Sequence, residues 1–188
     1  KQSLRLVINN SSGVPQYLVD SSDEEAFGWD LQLQWRATEG LALNFNSQYI
    51  DQTYKNYTTS DGDDLSGQAT GLPLWSIAAG GSYTWQFENA SQLQFGLMYS
   101  YRGASRCNDA SQSQGNCQVT VNFDTGVAQN RTDARLQWTS PTDSWSTSLY
   151  VRNAFDEQYI GGVGGLTTNV FGTPFSSLSE PRQYGLEV

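Results

Sequence analysis

The stretch Phe27–Trp35 leaves few folds open to this chain. It reads Phe-Gly-Trp-Asp-Leu-Gln-Leu-Gln-Trp. Phe27, Trp29, Leu31, Leu33 and Trp35 share one parity, while Gly28, Asp30, Gln32 and Gln34 share the other. Period two is the signature of a strand with one apolar and one polar face. A half-buried strand of a soluble sheet alternates in the same way. What sets this stretch apart is the order along its apolar face, with aromatic rings towards both ends and leucine between them. Lipid-facing strands have that order, because amphipathic rings settle at the headgroup level.

The design repeats along the chain. Leu4, Leu6 and Ile8 alternate with Arg5, Val7 and Asn9. Leu41, Leu43, Phe45 and Tyr49 share a face opposed by Ala42, Asn44, Asn46 and Gln48. Trp75, Ile77, Ala79, Gly81, Tyr83, Trp85 and Phe87 form the longest such row, and Leu93, Phe95, Leu97, Tyr99 and Tyr101 the next. Ala134, Leu136 and Trp138, then Trp145, Thr147, Leu149, Val151 and Phe155, and finally Tyr184, Leu186 and Val188 complete the pattern. The result is roughly eight strands, each near the ~9–11 residues that cross a bilayer at a tilt.

The connections sort by length. Arg36–Gly40, Glu88–Ser91 and Ser140–Asp143 are tight turns. Asn10–Glu25, Asp51–Pro73, the stretch from Arg102 to about Asp124, and Asp156–Glu180 are long and polar. Short and long connections alternate, which predicts an all-β, antiparallel transmembrane β-barrel segment of about eight strands with short periplasmic turns and long extracellular loops. On this reading the chain begins on the periplasmic side and its last strand runs back towards it.

Composition narrows the function. The 188 residues carry a net charge of -9, only 15% charged residues and 13% aromatics. A nucleic-acid partner needs a basic face, so none is expected. A polar but sparsely charged, aromatic-rich chain suits a barrel with a wet lumen. It equally suits a secreted carbohydrate-binding β-sandwich. No apolar run is long enough for a membrane helix, and no signal peptide opens the chain, which reads as a processed protein or a piece of one. The absence of His removes Ser-His and Cys-His nucleophiles and His-ligated metals. No catalytic residue, cofactor or metal is expected, and the chain is not read as an enzyme. Cys107 and Cys117 lie in a loop rich in Ser, Gln, Asn and Gly and read as one small disulfide of an oxidising compartment.

Four segments resemble TonB-dependent outer-membrane receptors. Tyr150-Val-Arg-Asn-Ala-Phe-Asp-Glu-Gln-Tyr159 is similar to that family's penultimate strand, where an apolar strand leads to Asn-Leu-Phe-Asp and a Tyr. Glu180-Pro-Arg-Gln-Tyr-Gly-Leu186 resembles its final strand, which opens on Pro-Arg and an aromatic-Gly pair. Gly28-Trp-Asp-Leu-Gln-Leu33 resembles its Gly-x-Glu-Leu-x-Leu strand, and Gly67–Pro73 ahead of Trp75 resembles a loop leading into a strand. The matches occur in the family's order along essentially the whole chain.

The resemblance implies a 22-stranded barrel plugged by an N-terminal domain, of which residues 1–188 would be the C-terminal part, with the plug and the TonB-contacting box absent. It implies a Gram-negative outer-membrane location and active transport of a scarce nutrient: a ferric siderophore, cobalamin or a glycan. Partners would be outer-membrane lipid, the TonB energy complex through the N-terminal part, and a small-molecule or metal-chelate ligand. The family usually ends in an aromatic residue, whereas this chain ends at Val188. A complete eight-stranded barrel with a structural or adhesion role is an alternative. Candidate ligand contacts are Tyr17, Tyr54 and Tyr57 in the long loops, and Arg102 and Arg152 on the lumen side. Asp30, Arg36 and Arg135 also face the lumen, where such groups line a path or pair with a plug or with one another. Asp61-Gly-Asp-Asp64 lacks the spaced carboxylates and final Glu of a Ca²⁺ loop and reads as a solvated turn. Gly161–Gly165 lacks the helix and Lys of a phosphate cradle and reads as a surface loop.

Overall fold

A computed structural model describes residues 2–9, 16–59, 62–108, 117, 125–163 and 176–188. All regular structure among them is strand: β1 (Gln2–Asn9), β2 (Gln16–Arg36), β3 (Leu41–Asn56), β4 (Trp75–Gln86), β5 (Gln92–Arg102), β6 (Gln129–Thr139), β7 (Ser146–Arg152), β8 (Ile160–Val163), β9 (Ser176–Leu178) and β10 (Gln183–Glu187). Eight of these form one antiparallel sheet in the order β1-β2-β3-β4-β5-β6-β7-β10, a meander in which each strand pairs with the next up to β7, which pairs with β10. The small β8–β9 pair is separate.

Local chemistry fixes the three tight turns. Ala37 N–H donates to Leu41 C=O at 2.9 Å, and Leu41 N–H donates to the Thr38 hydroxyl at 3.0 Å. In the second turn Asn89 Oδ1 accepts from both the N–H and the hydroxyl of Ser91, while Ala90 takes a φ of 65°. The third closes through Ser140 N–H to Trp145 C=O at 3.0 Å with Asp143 at φ 53°. These bonds set the register, and the register holds every strand's apolar parity on one face. Leu31 pairs with Ser47, Ser47 with Ile77 and Ile77 with Tyr101, while on the other face Asp30, Gln48, Ser76, Arg102 and Gln129 form one row across five strands.

No second sheet covers the apolar face among the described residues, so the β-sandwich alternative is not what forms. Phe27 is 74% exposed and Trp35 65%. The sheet is also open, with β1 and β10 at opposite edges, so the alternative of a closed eight-stranded barrel is not realised either. Aromatic rings border this bare face. Trp29, Tyr49 and Trp75 cluster towards the long-loop end, with Trp75 5.5 Å from Trp29 and 5.0 Å from Tyr49 between centroids. Tyr83–Trp85 at 4.5 Å and Trp138–Trp145 at 4.7 Å mark the tight-turn end. Trp75 and Trp85 lie near the two ends of β4. At ~3.4 Å per residue their spacing is about 34 Å of strand, or about 26 Å across a layer at a 40° tilt, which matches the ~25 Å apolar band of an outer-membrane barrel.

Three expected connections and one expected strand differ. Most of Asn10–Glu25 is strand: β2 starts at Gln16, and β1 pairs with Gln16–Asp23 rather than beside Phe27–Trp35. β3 runs on to Asn56, well into the expected Asp51–Pro73 loop. Gln129–Asp133 of β6 extends its strand beyond the apolar alternation. The Asp156–Glu180 loop holds the β8–β9 hairpin, with Gly161 and Gly162 inside β8. In each case backbone N–H and C=O groups pair without regard to side-chain polarity, so strands continue past the apolar zone that reveals them.

Candidate functional site

The polar face carries the chemistry. Two clefts open on it, of about 630 and 530 Å³. The first is lined by Gln34, Arg36, Asn44, Asp133, Arg135 and Arg152, and the second by Gln32, Gln48, Ser76, Arg102, Arg131 and Tyr159, among others. Charged groups are four of the six named for the first cleft, whereas neutral amides and hydroxyls prevail in the second. Together they present hydrogen-bond donors and acceptors over both clefts.

The predicted lumen residues Asp30, Arg36, Arg102, Arg135 and Arg152 all fall on this face. The structure also shows how part of the charge is used. Arg131 Nε donates to Asp133 at 2.9 Å and reaches Glu180 at 3.7 Å. Arg135 meets Glu187 at 2.9 Å. The Arg152 guanidinium lies 5.3 Å from the Tyr150 ring centroid, a cation–π arrangement. These pairs are half-exposed, and pairs of that kind contribute at most ~1 kcal/mol each. They set side-chain positions more than they stabilise the sheet. Arg102 has no ion pair among the described residues and lies in the second cleft between neutral groups. Sequence reading did not single out Arg131, because it lies in the part of β6 where the apolar alternation has faded.

The tyrosines are placed differently from the expectation of open loops. Tyr17 is in β2 with its backbone opposite Ile8, and its side chain is outside the described ones. Tyr54 belongs to β3 and is 1% exposed; Tyr57 is 3% exposed. Their ring centroids are 4.7 Å apart, and both pack with Leu65 in a small core under the β3–β4 connection. Both rings are packed in this core rather than standing open on a loop. Asp63 and Asp64 are exposed, Asp61 lies outside the described residues, and the Ser66 hydroxyl and N–H hold the Asp64 carboxyl below its ordinary value. Cys107 and Cys117 form a disulfide, with Cα atoms 5.6 Å apart.

The motif after β7 turns out to be a junction. Asn153 is buried, at 4% exposure, with φ at 52°. Its side-chain amide donates to the carbonyls of Glu157 (2.8 Å) and Glu180 (3.1 Å), and its Oδ1 accepts from Glu157 N–H at 3.0 Å. Its own N–H donates to Asp133 at 2.8 Å. Asp156 accepts from Arg182 N–H at 2.9 Å, which fixes the approach to β10. The Tyr159 hydroxyl accepts from Asn130 N–H at 2.6 Å and donates to Asn130 C=O, doing for the end of β6 what a paired strand residue would do. Past this junction, Gly185 of β10 lies under the Tyr150 ring: a Cβ there would come within 2.6 Å of the Tyr150 hydroxyl oxygen.

No family model matches the chain, and no curated protein matches it. Among solved structures it is similar to the ferric yersiniabactin uptake receptor FyuA from Yersinia pestis, with a TM-score of 0.62 and 18% identity. The match covers 89% of this chain and 23% of that one. At this identity the likeness is one of fold, and the chain spans about a quarter of that receptor's length.

Proposed function

We propose that the chain is the C-terminal part of the barrel wall of a TonB-dependent receptor in a Gram-negative outer membrane. The observation that carries this reading is the eight-strand meander with a bare, aromatic-bordered apolar face and a polar, cleft-bearing opposite face. A membrane strand must pair all its backbone groups within the sheet, and lipid would cover the apolar face that no second sheet covers among the described residues. The fold likeness to a siderophore uptake receptor supports the same assignment. The whole protein would bind a scarce nutrient of the ferric siderophore, cobalamin or glycan class. A plug outside these 188 residues, pulled through TonB, would then release it inward. The work is binding coupled to conformational change, without bond chemistry. In this chain Arg102 and Arg152 are the proposed lumen contacts to cargo or plug.

The test is uptake in the host. Deleting the gene should abolish accumulation of a labelled compound from one of the three nutrient classes, and deleting TonB should abolish the same uptake. Unchanged accumulation of all three classes under nutrient limitation would sink the transport reading.

A further inference from the structure

Two connections meet at the long-loop end of the sheet, β3–β4 and β5–β6, and contacts tie the second to the first and to the adjoining ends of β3 and β4. Pro73 and Ser105 form an antiparallel bridge, and Gly103 N–H donates to Trp75 C=O at 2.8 Å. Arg106 forms an ion pair with Asp51, and the Asn108 side-chain amide donates to Ala69 C=O. Arg106 and Asn108 flank Cys107, the residue that is disulfide-bonded to Cys117.

The same disulfide gathers the returning limb of the β5–β6 connection. Ser105 N–H donates to Gly126 C=O at 2.8 Å, and the Thr125 hydroxyl donates to Cys117 C=O at 2.9 Å. Gly126 packs against the bond itself: a Cβ there would lie 3.3 Å from Cys107 Sγ and 3.4 Å from Cys117 Cα. Across the junction the β3–β4 connection folds back on β3. Tyr54 N–H donates to Gln68 C=O at 2.9 Å, Gly67 N–H to Tyr54 C=O at 2.7 Å and Leu65 N–H to Tyr57 C=O at 2.9 Å.

We propose that the Cys107–Cys117 disulfide is a clasp that makes the two connections one mechanical unit. A part-exposed ion pair or a lone side-chain amide holds a loop weakly on its own, because each must order a flexible segment. Closing the covalent ring removes much of that freedom from the residues beside Cys107. Arg106 and Asn108 are then presented together to Asp51 and Ala69, and each contact raises the effective concentration of the other. The β3–β4 connection does not open without releasing β5–β6, so the two loops move together whatever the barrel carries.

Hydrogen exchange of the whole protein in detergent tests the clasp. The amides to follow are Tyr54, Leu65, Gly67 and Gln68, all remote in sequence from the disulfide. The double variant Cys107→Ser/Cys117→Ser should exchange them on the order of tenfold to a hundredfold faster. Arg106→Ala/Asn108→Ala should speed the same amides with the disulfide intact, and combining the two sets should add little further. Amides of β4 and β5 should keep their protection, which reports an intact sheet. Reducing the folded parent protein with a dithiol gives the same readout if the double variant fails to assemble. Unchanged exchange at the four amides after loss of the disulfide would overturn the proposal and leave the bond as a brace for its own loop.

Discussion

Replacing Asn153 with alanine should loosen the seam between β7 and β10. The substitution removes the bonds to the Glu157 and Glu180 carbonyls and to Glu157 N–H, and keeps the Asn153 N–H bond to Asp133. At ~0.5–1.5 kcal/mol each, those three bonds are worth about 1.5–4.5 kcal/mol. Position 153 also has φ 52°, where alanine is poorer than asparagine by about 1 kcal/mol. The total is roughly 2.5–5.5 kcal/mol. Asn153→Gly separates the two contributions, since glycine accepts the positive φ but makes none of the side-chain bonds. It should recover about 1 kcal/mol relative to alanine. The assay is urea unfolding followed by heat-modifiable electrophoretic migration, with hydrogen exchange along β10 to localise the effect. Tyr184–Glu187 amides should lose protection while β3 and β4 keep theirs. An Asn153→Ala protein with the parent's urea midpoint and an unaltered β10 would refute the junction.

Three further outcomes follow from the same geometry. Gly28→Ala should damage assembly more than Gly185→Ala: a Cβ at Gly28 meets the Tyr49 carbonyl oxygen at 2.3 Å, a backbone atom, whereas the one at Gly185 meets the movable end of Tyr150; the yield of folded protein in membranes compares them. Ala79→Arg near the middle of the apolar face should cost about 2–4 kcal/mol, and Ala78→Arg, one residue away on the polar face, should cost far less; urea midpoints in lipid vesicles read the difference. Asp64 contributes its Ser66-bonded turn only while ionised. Its folded pKa is depressed, so the contribution is present above the unfolded value of about 3.9 and lost as pH falls through the folded one. Exchange at Ser66 N–H, corrected for the intrinsic rate, should therefore be flat from neutral pH down to the unfolded value and lose protection only below it; protection unchanged to the lowest pH at which the fold survives would contradict it.

The sequence revealed the strands whose apolar positions alternate. The β4 and β5 bounds were readable to within a residue because every second position there must be apolar. Gln16–Glu25 of β2 and Gln52–Asn56 of β3 were not, because outside the apolar band a ladder needs only backbone groups. Parity put Asp30, Arg36, Arg102, Arg135 and Arg152 on the polar face correctly. It had no means of pairing Arg131 with Glu180, which depends on where the chain returns after β9. Tyr54 and Tyr57 looked available for the same reason: Leu65, which packs with them, comes from a stretch with no periodicity to reveal its fold. The segment Asn153–Tyr159 was legible as a motif, but its role as a junction required the positions of Asn130, Asp133 and Glu180.

The central claim is that the apolar face meets lipid and the polar face meets water. Single fluorescent labels along β4, at Ser76, Ile77, Ala78, Ala79, Gly80 and Gly81, in the protein reconstituted into vesicles, test it most directly. The account predicts strict alternation. Labels at Ile77, Ala79 and Gly81 should be quenched by brominated acyl chains and shielded from aqueous iodide, and those at Ser76, Ala78 and Gly80 should behave the opposite way. Iodide quenching of all six positions to the same extent would contradict the barrel-wall assignment and the function built on it.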